Sequence, residues 1–351
     1  MFTRMCHRSI VCRHRSFSAM PSCIVEPHHH YVCSSQPFHG PLKAFGLPDY
    51  TPEHFVRDMD GVEIAKAIHM ECMPSSPLGE AEYVEEVIRS KRGPVVGIVA
   101  ACDLAADDSA AQLTLLKSKC PHLVGIRYII DYTGPWGEAP ATHIAVSRHD
   151  ENGCVCPIMT GKGVDFLRDP LISPKFEAGF SQLAEHELRF DLQCAPDQLE
   201  AASELIERHP KIPVVVDHLG KPRLGSGNEA TDAAELATWR QGMRKLAAHK
   251  HVYLKLSMLA YSVPRWAGDA AKEKLIASLV LEMIDLFGPQ RCMFSTNWWS
   301  NGAMANSDGR DEVDISMAEM WRRYLSWVED HYSREDVHRL FSGTAEEFYG
   351  I

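Results

Sequence analysis

Short apolar, β-branched runs recur along the chain, and between them lie longer stretches whose apolar residues return every three or four positions. The first pattern is that of buried strands, the second that of helices packed on one face. Eight runs qualify: 23–25 leading into Glu26-Pro27-His28-His29-His30, then 61–69, 95–101, 123–130, 188–194, 212–218, 252–257 and 291–296. Amphipathic stretches at 81–90, 177–186, 198–209 and 234–248 stand between them. This strand–helix rhythm predicts parallel strands closed into a (β/α)8 TIM barrel.

Two stretches break the rhythm. Residues 31–55 are rich in proline and aromatics, and residues 131–170 hold Trp136, His143, Arg148 and His149 among several glycines. Both follow strands, so both are expected at the C-terminal face, where barrel chemistry sits. His143 and His149 are expected to face solvent there. No linker divides the body, and residues 23–351 read as one domain. Residues 1–22 stand apart: Arg4, Arg8, Arg13 and Arg15 come with no acidic residue before Glu26. That is the composition of a transit peptide, implying a mitochondrial or plastid address. The alternative is a disordered extension, with Met20 as the start and a cytoplasmic protein.

Composition narrows the partners. With 45% hydrophobic and 24% charged residues, the chain has globular composition and material for a sizeable core. A net charge of -11 without a basic stripe excludes nucleic acid, since phosphate binding needs clustered Lys and Arg. The eleven cysteines form no CxxC pair, which points to a reducing compartment. No apolar run approaches the roughly 18 residues needed to span a bilayer, so no membrane partner is expected. The expected partner is a small-molecule substrate, with a homo-oligomer left open.

Alternate residues of a strand share a face, so His28 and His30 are expected to project together into the barrel mouth. Two imidazoles at that spacing suit one metal ion or one substrate carboxylate. The run VVVDHLGKP adds His218, with Asp217 alternating away to bond a neighbouring group or an adjacent imidazole. Unpaired polar groups at the end of so apolar a strand are costly, which gives the Asp-His pair a task; a satisfied core histidine is the structural alternative. Arg127, on a strand aimed at the mouth, can clamp a substrate carboxylate or form a structural ion pair. Lys255 and Ser257 share a phase on the seventh strand, with Lys255 either facing the site or reaching outward. Tyr31, Trp136, Trp298 and Trp299 are candidates to wall a sugar-sized pocket, packing being the alternative.

The segments EPHHHYV, VVGIVAACDL, GIRYI, LRFDLQCAPDQL, VVVDHLGKP, RCMFSTNWW and RLFSGTAEEFYGI, in that order, resemble the amidohydrolase-2 branch of the amidohydrolase superfamily. This branch holds sugar-lactone hydrolases and enzymes of the 2-pyrone-4,6-dicarboxylate lactonase type. The resemblance covers residues 23–351, and DHLGKP is its most specific element. It implies a barrel of the metal-dependent-hydrolase type that opens a sugar-derived or dicarboxylate lactone by water attack at the ring carbonyl. By this resemblance the strand-one pair corresponds to His28 and His30, the strand-six histidine to His218, and a strand-eight aspartate to position 297.

Position 297 is asparagine here. An amide neither ligates a metal nor takes a proton as a carboxylate does. Glu71, just beyond His69, is the nearest substitute by topology, and Glu26 is another, lower in the barrel. The fourth strand offers Arg127 rather than a lysine that can be carbamylated, and the fifth Gln193 rather than histidine, so a dinuclear site is not expected. His28, His30 and His218 are then expected either to hold one divalent ion, Zn, or to polarise the lactone without metal. The resulting catalytic set is His28, His30, His218, Glu71 and Asn297, with Arg127, Tyr31, Trp136 and Trp298 binding substrate. Two rivals stand beside it. Non-oxidative decarboxylation occurs in related barrels that keep the strand-eight aspartate; a catalytically silent binding barrel is favoured by Asn297 and disfavoured by the intact HxH and DHLGKP.

Overall fold

A computed structural model of the chain describes residues 20–40, 48–130, 173–298 and 315–351. Most of the N-terminal extension, together with Trp136, His143, Arg148, His149 and Trp299, lies outside the described residues.

Eight strands follow the apolar runs: β1 (Ile24–His29), β2 (Ile64–Met70), β3 (Val95–Ala101), β4 (Leu123–Ile129), β5 (Arg189–Gln193), β6 (Val214–Val216), β7 (Val252–Leu256) and β8 (Cys292–Phe294). Each pairs in parallel with the next in chain order. A parallel bridge between His29 and Trp298 draws the first and last strands together, so the sheet forms a nearly closed barrel. The seam is tied by Glu26, which accepts hydrogen bonds from Ser295 Oγ at 2.8 Å, Thr296 N at 3.0 Å and Thr296 Oγ1. With its oxygens taken by Ser295 and Thr296, this carboxylate is spent on the seam rather than placed as the substitute base, and the β1–β2 register shifts between Glu26 and His29.

Ten helices surround the strands: α1 (Pro52–Asp58), α2 (Pro77–Arg89), α3 (Ser109–Lys119), α4 (Pro174–Glu185), α5 (Leu199–Arg208), α6 (Glu229–Ala247), α7 (Ala270–Phe287), α8 (Met317–Val328), α9 (Arg334–His338) and α10 (Thr344–Tyr349), counted among the described residues. Local chemistry fixes their starts. Ser76, Asn228, Asp269 and Ser316 cap α2, α6, α7 and α8 by accepting from first-turn amides, and proline opens α1, α2 and α4. The buried positions of α7, among them Ile276, Leu279, Val280, Met283 and Ile284, show the spacing that turns one face to the barrel.

Alternation divides the apolar residues into two cores. Val214 and Val216 point outward to the helices, whereas Val215 joins Val25, Ile68, Met70, Val99 and Met293 inside the barrel, above Phe348 and Tyr349 of α10. At the C-terminal ends the alternation stops. After β6, β7 and β8 the backbone turns left-handed at His218 (φ 55°), Leu219 (φ 57°), Lys221 (φ 55°), Met258 (φ 46°) and Asn297 (φ 54°). Each such residue costs about 1–2 kcal/mol, so the surrounding contacts must hold it. Among the described residues, no helix is long and apolar enough to cross a membrane.

Candidate active site

The three expected histidines meet at the C-terminal mouth. The His28 ring lies 5.0 Å from that of His30 and 4.6 Å from that of His218. His28 is carried by β1; His30 sits one residue past it. His218 arrives by a different route from the one its strand suggests. Because β6 ends at Val216 and the chain then turns left-handed, Asp217 and His218 both face the barrel interior, where strict alternation separates them. Asp217 Oδ1 lies 3.5 Å from His28 Nδ1, and His218 Nδ1 lies 3.0 Å from Ser257 Oγ.

His28 stands between two cations. Lys255 Nζ is 3.2 Å from its Nδ1, and Arg127 Nη1 is 3.3 Å from its Nε2. Burial first, then Lys255, His218 and Arg127, pushes the His28 imidazole well below its ordinary range; burial, Arg127 and His28 do the same to His30. Both rings are therefore neutral at pH 7. His30 is held at both nitrogens, with Nδ1 2.8 Å from the Met70 carbonyl and Nε2 2.9 Å from Asn297 Oδ1. The Asn297 amide reaches Met258 Sδ on its other side at 2.9 Å.

Arg127 forms an ion pair and still faces the site. Its Nε donates to Glu71 Oε1 at 2.7 Å, Nη2 to the Glu71 carbonyl, and Nη1 to Gln193 Oε1 at 3.2 Å. Glu71 Oε2 accepts from Met73 N at 2.7 Å. Burial raises the Glu71 carboxyl while Arg127 opposes that shift. With both oxygens engaged, Glu71 anchors Arg127 and is not placed as the substitute base expected of it.

Two expected pocket walls lie elsewhere. Tyr31 is fully buried against His29, Phe55 and His69, in the layer between strands and helices. Trp298 donates its indole N–H to Asp58 on α1 at 3.0 Å, so its ring also points outward. Both follow β1 or β8 at the point where strand phase no longer sets side-chain direction.

The residue that sequence reading placed only loosely is Lys255. It is fully buried inside the barrel, donating to Asp191 Oδ1 and lying 3.1 Å from Asp217 Oδ1. Tyr349 donates to Asp191 from below at 2.6 Å. Burial pushes the Asp191 carboxyl up to about 6 against the pull of Lys255. The signal was present: Asp191 in the strand run LRFDLQC and Lys255 in VYLKLS are charged residues flanked by apolar ones, at positions whose partners sequence alone does not show.

The atoms that converge as a metal site needs belong to His28, Asp217 and His218, all within 4.8 Å of one another, rather than to the three histidines. Their donor chemistry suits a divalent cation. The charge around them does not. Metal bonds to nitrogen are about 2.0–2.1 Å long, so an ion on either His28 nitrogen lands close to Lys255 or Arg127. Two unit charges 4 Å apart repel by about 4 kcal/mol at an effective dielectric near 20, and a dication doubles this. Lys255 and Arg127 thus stand against an ion at the His28 nitrogens, while Asp217 is the anionic ligand offered to it.

The protein family described as Amidohydrolase matches residues 48–351. L-fucono-1,5-lactonase of Burkholderia ambifaria is 25% identical over 264 residues, covering 69% of this chain and 81% of that one. L-fucono-1,5-lactonase of Burkholderia multivorans is 31% identical over 177 residues, or 50% and 56% of the two chains. A crystal structure of a Burkholderia multivorans amidohydrolase with bound zinc superposes with a TM-score of 0.68 at 21% identity, covering 94% of this chain and 100% of that one.

Proposed function

The chain belongs to the amidohydrolase family, and we propose that within it the protein opens a lactone by water attack at the ring carbonyl. The observation that carries this reading is the meeting of His28, His30 and His218 beside the buried Asp217 carboxylate. The relatives named L-fucono-1,5-lactonase support it.

His28 is the base. A neutral ring accepts the proton of the attacking water as the water oxygen bonds to the carbonyl carbon. Asp217, 3.5 Å from Nδ1, stabilises the imidazolium that results. The carbonyl electron pair moves onto oxygen, and Arg127, fixed by Glu71 and Gln193, faces that developing charge. Collapse breaks the ring carbon–oxygen bond, and the leaving alkoxide takes the proton back from His28. The product is a hydroxy acid, whose ionisation releases one proton. His218, set through Nδ1 by Ser257, holds the carbonyl in the mouth, and His30, engaged at both nitrogens, packs edge-on against the His28 ring. The substrate class is a sugar-derived or dicarboxylate lactone.

The test is a pH-indicator screen of aldonolactones and dicarboxylate lactones on purified protein, with and without chelator. Proton release that survives chelation is expected, and His28→Ala and His218→Ala should each lower kcat/KM by about 10²–10⁴-fold. Full activity in both variants would overturn the assignment of the site. No release from any lactone would overturn the activity and turn attention to decarboxylation.

A further inference from the structure

The strands carry a chain of ionisable groups through the barrel interior that the hydrolytic scheme uses only in part. It runs from Tyr349 at the floor to Asp191 on β5, across to Lys255 on β7, and up to Asp217 and His28 at the mouth. Lys255, Asp191, Asp217 and His28 are all fully or almost fully buried. An ammonium in such a place is costly unless it is paired. Lys255 has two carboxylates and one imidazole around it, one acceptor for each of its three N–H donors.

We propose that Lys255 is the active site's built-in cation, lodged between His28 and Asp217 where a divalent ion would otherwise sit, and that it excludes such an ion while holding both side chains for turnover. The geometry is direct. Its Nζ is 3.2 Å from His28 Nδ1 and 3.1 Å from Asp217 Oδ1, two of the three side chains whose donor atoms converge. It reaches them from β7, with its whole side chain buried. Asp191, itself steadied by Tyr349, stops the ammonium from withdrawing. Lys255 is thus a positioning residue, acting through His28 and Asp217. Its exclusion of metal does not depend on the substrate; its part in turnover rests on the lactonase reading.

Zinc titration calorimetry on chelator-treated full-length protein separates these statements. The wild type should bind zinc weakly. Lys255→Met removes the charge at similar length and should bind one zinc per chain at least tenfold more tightly, and His28→Gln in that background should abolish the gain. Asp191 loses its partner in Lys255→Met, so Lys255→Met/Asp191→Asn, which removes both charges, is measured beside it and should show the same gain. Circular dichroism and melting identify which variant is natively folded. Wild-type zinc binding as tight as that of the variants and lost on His28→Gln, or no gain in a natively folded variant, would overturn the proposal. With a lactone that the wild type hydrolyses, the variants should lose kcat with little change in KM. A wild type that hydrolyses none removes the lactonase reading and leaves the zinc result to decide the cation.

Discussion

Asn297 Oδ1 lies 2.9 Å from Nε2 of His30, whose other ring nitrogen faces the Met70 carbonyl at 2.8 Å. A carbonyl only accepts, so Nδ1 carries the ring proton. Nε2 then meets an amide oxygen as a hydrogen bond only when the ring holds a second proton. In the neutral ring, which burial and the neighbouring Arg127 favour, the amide serves by presenting its nitrogen instead. An amide fits both states by rotating; a carboxylate fits only the charged one. Asn297→Asp should therefore raise the His30 pKa, move the acid limb of the kcat/KM profile upward, and cost about tenfold in activity per unit moved past the assay pH. A pH–rate profile with histidine NMR checks this; superimposable profiles would show the contact to be idle.

Arg127 and Glu71 form a buried pair, and removing one partner leaves an uncompensated charge. Arg127→Met should lower stability by about 3–5 kcal/mol, and Glu71→Gln added to it should restore a substantial part. Denaturant unfolding of the two single variants and the double variant measures the coupling. Strictly additive losses would mean that the pair does not act as a unit.

With His28 as the proposed base, its neutral form sets the acid limit of activity. Because burial and Lys255 press its pKa well below the ordinary imidazole range, kcat/KM should hold from pH 7 down past 6.5 before falling. In Lys255→Met the same limb should move upward, since one of the groups disfavouring the imidazolium is gone. A limb unmoved in the variant would place the base elsewhere.

Glu26 ties β1 to β8, and burial outweighs its hydrogen-bond donors, pushing its carboxyl up to about 7 from 4.5. Between those values the folded protein keeps a proton that the unfolded chain has released. The contribution of Glu26 to stability is thus complete below pH 4.5 and falls as pH rises toward 7. Glu26→Gln cannot titrate, so its cost in melting temperature relative to wild type should be larger at pH 5 than at pH 8. A larger cost at pH 8 would mean that the donors hold the group ionised.

The sequence by itself determined the barrel and the histidines that gather at its mouth. Continuous apolar, β-branched runs and period-3.6 stretches are local signals of strands buried on both faces and of helices packed on one, so β2 to β8 lie where the runs are. His28 and His30 were legible for the same reason, and the HxH and DHLGKP segments marked the mouth. Tertiary structure decided which groups face one another once the chain leaves the strands. Left-handed turns at His218, Met258 and Asn297 lie beyond the reach of alternation, which is why Asp217 faces inward with His218. Trp298 and Tyr31, read as pocket walls, belong to the outer layer, held by Asp58 and Phe55. Arg127 met Glu71, and Lys255 met Asp191 and His28, across strands separated by 56 to 227 residues of chain. Such pairings depend on how the barrel closes, and no local pattern carries that.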